Sequence, residues 1–324
     1  MQYRQFGKTG LSFSEISLGT WAMGGMWGPR DDRASIEAIK TSLDQGVNFI
    51  DTAHIYGYGH SESLIASAFK EAKKKVAIAT KVPPKNLEWP ARHDTRLVET
   101  FPKKHIIEHT ELSLKNLRTD NLFLQQLHVW SDSWMTEFDE ILSAVEQLKK
   151  QGKIQFFGIS INDHEPNSAL KAVESGCVDS VQVIYNIFDQ SPEKELFPLC
   201  QKLGTAVIVR VPFDEGSLTG LLTPTTQFHD KDWRRHYFAP SRLPEVCARI
   251  DKLNFLIRNE IKTLSQAALK FCLSHPAVST VIPGMRKIEH VKTNCTTSDG
   301  LLFNRDELRE IKKHAWERNF YQHD

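Results

Sequence analysis

Long hydrophobic runs are missing from this 324-residue chain, and none approaches the length of a membrane span. The opening MQYRQFGKTG has no apolar leader, so no secretory signal is expected. Charge of one sign is missing too. With a net charge of +1 the chain has no overall field to gather nucleic acid or an anionic membrane surface, and we expect neither as a partner. Cysteine is scarce: Cys177, Cys200, Cys247, Cys272 and Cys295 form no C-x-x-C pair, and their odd number argues against a disulfide framework or a zinc cluster. They read as small core residues in a reducing, cytoplasmic compartment. Finally, no G-x-G-x-x-G follows the first apolar strand, which counts against an open doubly wound dinucleotide-binding sheet.

What is present is ordinary globular composition, 40% hydrophobic and 25% charged. The length would allow two domains, but alternating α/β barrels of this size form one, and no interdomain linker interrupts residues 1–324. A short cassette recurs: an amphipathic segment, a glycine, then an apolar strand. DQGVNFID, KKQGKIQFFG, ESGCVDSVQV and KLGTAVIV carry it at Gly46, Gly152, Gly176 and Gly204. In the first, Ile36, Ile39 and Leu43 share a helical face, and Gly46 falls where a C-cap belongs. Runs such as VAIAT (76–80), NLFLQQL (121–127) and VSTVI (278–282) are apolar enough to be buried on both faces. About eight such strands, separated by helical pattern, imply a parallel sheet closed into a (β/α)8 TIM barrel. The start, YRQFGKTGLSFSEISLG, reads as an N-terminal β-hairpin turned at Lys8-Thr9-Gly10. Long irregular segments follow the third and seventh barrel strands, at 82–103 and about 213–243, and loops of that length are usually functional.

The stretch DTAHIYGYGHSE (51–62) follows the apolar run VNFI, so a buried strand ends in a carboxylate. Burying an Asp costs free energy unless it is paired. In a barrel, residues at the C-terminal strand ends share one mouth. That places Asp51, Lys81 after VAIAT and His128 after FLQQL together, with Tyr56 in the loop beyond Asp51. An ammonium beside a phenol lowers the phenol's pKa, and a carboxylate holds the ammonium charged. Such a group can protonate a carbonyl oxygen as hydride arrives at carbon, with the histidine orienting that oxygen. Each residue has a plainer use: Asp51 as a helix cap, Lys81 and His128 as solvated strand ends. A Schiff-base role for Lys81 is a rival chemistry.

With these residues the sequence resembles the aldo-keto reductases, from FGKTGLSFSEISLGTWAMGG to VIPGMRKIEHVKTN. The resemblance implies that Tyr56 is the general acid, that Lys81 and Asp51 tune it, and that His128 positions a small-molecule carbonyl substrate. It also implies a nicotinamide cofactor, with Thr20, Trp21, Asp51, Ser160, Gln182, Arg210, Pro212, Phe213, Gly216, Ser217, Leu218, Gly284, Met285, Arg286, His290 and Asn294 around it. Arg286 argues for NADP(H) through the adenosine 2′-phosphate. Two departures stand out: Thr293 replaces a glutamate common in relatives, and Arg210 replaces an aromatic residue that stacks on the nicotinamide. A cation there would repel an oxidised ring and favour reduced cofactor. Ile161 also separates Ser160 from Asn162, leaving Asn162 a weaker carboxamide contact. Some relatives partner channels, so a redox-sensing barrel with little turnover is an alternative.

Trp21, Trp27, Trp89, Trp130 and Trp134 fall in strand-end positions. The first four are candidates for an apolar wall around the substrate, Trp21 and Trp130 foremost. HIIEH (105–109) matches a zinc-peptidase pattern, but without a third ligand it reads as a solvated helix face, and no metal is expected.

Overall fold

Every copy of the cassette folds as helix, left-handed glycine and strand. Gly46, Gly152, Gly176 and Gly204 have φ between 68° and 92°, a region costly for any residue with a Cβ, so each helix stops there. The computed structural model describes residues 1–69 and 76–321. An antiparallel hairpin, β1 (Tyr3–Gln5) and β2 (Ser12–Ser14), turns through Gly7–Thr9 with Gly10 left-handed, as the sequence implies. Eight parallel strands follow, hydrogen-bonded in sequence order. They are β3 (Leu18–Gly19), β4 (Phe49–Asp51), β5 (Ala77–Val82), β6 (Leu122–Leu127), β7 (Ile154–Ser160), β8 (Ser180–Ile184), β9 (Ala206–Arg210) and β10 (Val278–Val281). Parallel bridges Ile16–Val281 and Gly19–Gly284 join the last strand to the first and close the barrel.

Helices cover the outside: α1 (Asp32–Asp44), α2 (His60–Phe69), α3 (Leu97–Thr100), α4 (Lys103–Leu117), α5 (Phe138–Lys150) and α6 (Leu170–Glu174) in the first half. The second half adds α7 (Leu196–Leu203), α8 (Arg234–Tyr237), α9 (Leu243–Asp251), α10 (Leu264–Leu273), α11 (Ile288–Cys295) and α12 (Arg305–Lys312). Helix α1 begins at Asp31, whose side chain accepts from the Ala34 amide, and it buries Ala38, Ile39 and Leu43. None of the described helices is long and apolar enough to cross a membrane. All five cysteines are free thiols; four are buried and Cys177 is half-buried.

The hairpin matters to the site because of what it blocks. Phe6 and Phe13 enter the N-terminal end of the barrel and meet Phe49 and Phe123, with ring centroids 4.7–6.1 Å apart. Ala79, Ala206 and Ile208 complete this apolar floor. The barrel is therefore a filled core with one polar mouth, at the C-terminal ends of its strands.

Candidate active site

Alternation along each strand builds the site from the floor upward. Phe49, Ala79 and Ile208 lie in the floor; two residues later on the same strands come Asp51, Lys81 and Arg210. Lys81 Nζ donates to Asp51 Oδ1 at 2.5 Å and to the Thr52 carbonyl at 2.8 Å, and it reaches Tyr56 Oη at 3.5 Å. Both partners of the ion pair are out of solvent, with side-chain exposures of 0% and 2%. A buried pair survives only if its remaining lone pairs are satisfied. Here Gln182 Nε2 at 2.8 Å and Gln126 Nε2 at 3.3 Å donate to the second Asp51 oxygen. Asp51 caps no helix; its whole acceptor capacity is spent inside the barrel.

Tyr56 sits in the turn between β4 and α2, its ring 5.1 Å from Lys81 Nζ. Burial raises its pKa above the ordinary phenol value, and the Lys81 charge offsets only part of that rise. This corrects the expectation of a lowered phenol pKa: without a ligand the hydroxyl stays protonated well past neutrality, which suits a proton donor. The His128 ring stands edge-on to Tyr56 at 5.7 Å and to Trp89 at 5.8 Å. Burial first, then Lys81 and Arg210, hold its pKa well below the usual histidine value. A neutral imidazole beside a phenol can offer one N–H to a carbonyl oxygen.

A protonated phenol, a buried Lys-Asp pair and a neutral histidine meet at one mouth, an arrangement chemically able to protonate a carbonyl oxygen. The profile of the Aldo/keto reductase family matches residues 15–315. The chain belongs to this family. Aldo-keto reductase YhdN of Bacillus subtilis is 33% identical over 293 residues, covering 89% of this chain and 86% of the relative. The NADH-specific methylglyoxal reductase of Escherichia coli is 28% identical over 305 residues, 89% and 90% of the two chains. The holo form of an aldo-keto reductase from Bacillus halodurans superposes with a TM-score of 0.76 at 28% identity, covering 97% of this chain and 96% of the other.

Around Asp51, Tyr56, Lys81 and His128, the other predicted residues divide by what already holds them. Thr20 is buried, with its hydroxyl on the Asp51 carbonyl and on Ser61. Gln182 spends its amide N–H on Asp51, leaving its carbonyl oxygen as the group free to accept. Ser160 lies beside Gln182 in register. Asn162 pins the long 82–103 segment by pairing with both backbone groups of Ala91. Arg210 donates to the Ile161 carbonyl at 2.9 Å and to Asp163 at 2.8 Å, so a carboxylate offsets the charge expected to repel an oxidised ring.

Pro212 and Phe213 lead into a turn in which Gly216 has φ 102° and Ser217 Oγ donates to Asp214 at 2.6 Å, with Leu218 buried behind it. Met285 is buried, Gly284 faces open space, Asn294 is buried and His290 is exposed on α11. Arg286 donates to the Trp27 carbonyl at 2.8 Å. These features fit a dinucleotide groove, and so do buried N–H groups that lack partners among the described residues: Arg210 Nε, Trp27 Nε1 and Trp233 Nε1.

The aromatic wall differs from the sequence expectation. Trp21 lies 6.4 Å from Tyr56 and 5.7 Å from Trp27, and Trp89 meets the His128 ring that also meets Tyr56. Trp130 is a correction: it is fully buried, donates to the Ser168 carbonyl and packs on Trp134 and Phe138, so it belongs to the core. Its place on the wall is taken by Trp233, 5.2 Å from Trp21, and by Tyr321 stacked on Trp233 at 5.8 Å. The expectation of a solvated HIIEH face also fails. The His105 and His109 rings meet at 4.2 Å, and His109 turns inward to meet His54 at 5.0 Å. No three ligand-type side chains gather to hold a metal among the described residues.

The C-terminal segment, silent in the sequence, reaches the turn after β9. Tyr321 donates to Glu215, and Arg318 to Asp214. Burial pushes the Glu215 carboxyl up to about 8. The unfolded chain releases this proton in the ordinary carboxyl range, so stability is lost as pH rises from there towards 8. Glu215→Gln should therefore melt higher than the parent at pH 8, with the difference vanishing below the ordinary carboxyl pKa; thermal unfolding across pH checks it.

Proposed function

We propose that this chain reduces an aldehyde or ketone to an alcohol with NADPH, using Tyr56 as general acid. The observation that carries this reading is the meeting of a protonated Tyr56 hydroxyl with the buried Lys81-Asp51 pair. The nicotinamide cofactor would supply the hydride, which no side chain can. Tyr56 gives its proton to the carbonyl oxygen, and Lys81 then stabilises the phenolate. Asp51, held by Gln182 and Gln126, keeps the ammonium charged and directed. His128 orients the carbonyl oxygen while remaining neutral. Trp21, Trp27, Trp89 and Trp233 exclude water around the reacting centre. Gly216, Ser217 and Leu218 would line the cofactor's phosphates, and Arg286 would pair with a 2′-phosphate.

Arg286 also makes cofactor choice testable. Fluorescence titration should give tighter binding of NADPH than of NADH. Arg286→Ala should weaken NADPH by roughly tenfold or more, the worth of one charge-assisted hydrogen bond, and leave NADH unchanged. Equal losses for both cofactors would remove Arg286 from the 2′-phosphate site. Turnover is tested with a panel of aldehydes and ketones. Bound NADPH with no carbonyl consumed would favour a cofactor-sensing barrel instead.

A further inference from the structure

His54 and Glu62, in DTAHIYGYGHSE, lie beside Asp51 and Tyr56 but have no part in the carbonyl chemistry described above. Glu62 is fully buried in the first turn of α2, in the layer between barrel and helices. Its neighbours Leu64 and Ile65 fill that layer with apolar side chains, so packing alone asks for no carboxylate there. Three separate segments converge on it. Oε1 accepts from Thr80 Oγ1 at 2.7 Å, and Oε2 accepts from Asn116 Nδ2 at 2.9 Å. His54 Nδ1 stands 3.7 Å from Oε2, too far for a hydrogen bond but near enough to feel the charge. Gly59 is shaped for this arrangement: its φ is 87°, and a Cβ there would overlap the Asn116 amide. Burial raises the carboxyl's pKa, but His54, Asn116 and Thr80 outweigh it, so Glu62 is held below the ordinary range and carries charge.

The partners explain the placement. Thr80 is the residue before Lys81 on β5; alternation sends Thr80 outward to Glu62 and Lys81 inward to Asp51. His54 lies two residues before Tyr56, and Glu62 six after it. The carboxylate thus ties the C-terminal end of the turn carrying the phenol to the strand carrying the ammonium, while His54, at the other end, stands 3.7 Å away. The contact this sets is marginal: Lys81 Nζ to Tyr56 Oη is 3.5 Å, the outer limit of a hydrogen bond, where a small shift breaks it.

We propose that Glu62 is a positioning residue that fixes the Tyr56 turn against β5 and so sets the Lys81–Tyr56 separation. It touches no reacting atom. The effect on rate rests on the carbonyl-reductase reading above; the effect on the turn does not.

The test compares Glu62→Gln, which keeps shape and loses charge, with Thr80→Val and Thr80→Ser. Glu62→Gln should lower kcat by about 10- to 100-fold, as misplacement near the chemistry does, while KM and NADPH affinity stay unchanged. A longer Lys81–Tyr56 contact raises the phenol's pKa, so the basic limb of the kcat profile should move to higher pH. Lys81, Asp51, Arg210 and His128 are the charged or titratable groups facing that phenol. Thr80→Val should reproduce the loss and Thr80→Ser should restore it. Amide hydrogen exchange over residues 52–61 should quicken in Glu62→Gln without faster exchange in the barrel strands. Parental kcat, basic limb and exchange in Glu62→Gln would overturn the proposal. So would a lower melting temperature with unchanged turnover per folded molecule. If the parent reduces no carbonyl, the proposed function fails, and the exchange measurement alone decides the role of Glu62.

Discussion

Tyr56→Phe should lose about 100- to 10,000-fold in carbonyl turnover while binding NADPH as the parent does. The change removes one oxygen from a ring that keeps its contacts with Trp21, His128 and the Lys81 ammonium, so the turn has no reason to move. The lost hydroxyl is the proton donor nearest Lys81, and the neutral His128 beside it is too weak an acid to replace a positioned phenol with an ammonium behind it. Steady-state NADPH oxidation, with a parallel fluorescence titration, separates the two quantities. Retained turnover would overturn the acid assignment. Loss of turnover together with loss of cofactor affinity would mean that the variant had disturbed the mouth as a whole.

Lys81→Met should have the second large effect, on stability as well as rate. Removing the ammonium leaves Asp51 buried with only the two glutamine amides against its charge. Breaking a buried ion pair from one side costs about 3–5 kcal/mol. The double variant Asp51→Asn/Lys81→Met should regain much of that loss in denaturant unfolding, because no uncompensated charge remains. Turnover should stay lost in both, since neither retains a group to stabilise the phenolate. Recovered stability without recovered rate would separate the electrostatic role of Lys81 from its packing. A double variant as unstable as the single one would mean that shape, not charge, dominates the site.

The meeting of Asp51, Tyr56, Lys81 and His128 was legible because polar side chains stand where local rules ask for apolar ones. A carboxylate at the end of VNFI and a lysine at the end of VAIAT are charges where a buried strand should be apolar, and the barrel topology turns strand ends into neighbours. The same rule reaches Gln182 in VQV and Gln126 in NLFLQQL: a glutamine inside an apolar run also needs a partner. Trp130 failed for a different reason. A tryptophan just past a strand end can face the mouth or the helix layer, and sequence position does not distinguish them. Trp233 and Tyr321 were out of reach, because they arrive from the long segment after β9 and from the C-terminal tail. No local pattern records those tertiary contacts.

Barrel closure has a consequence for how the chain is made. The seam joins Ile16 to Val281, contacts separated by most of the sequence, and the phenylalanine plug cannot be enclosed until the last strand docks. Non-local pairing of this kind slows folding, and a ribosome delivers the N-terminal end first. Until synthesis passes residue 281 the seam cannot form, so Phe6, Phe13 and Phe49 wait for the enclosure that the finished barrel gives them.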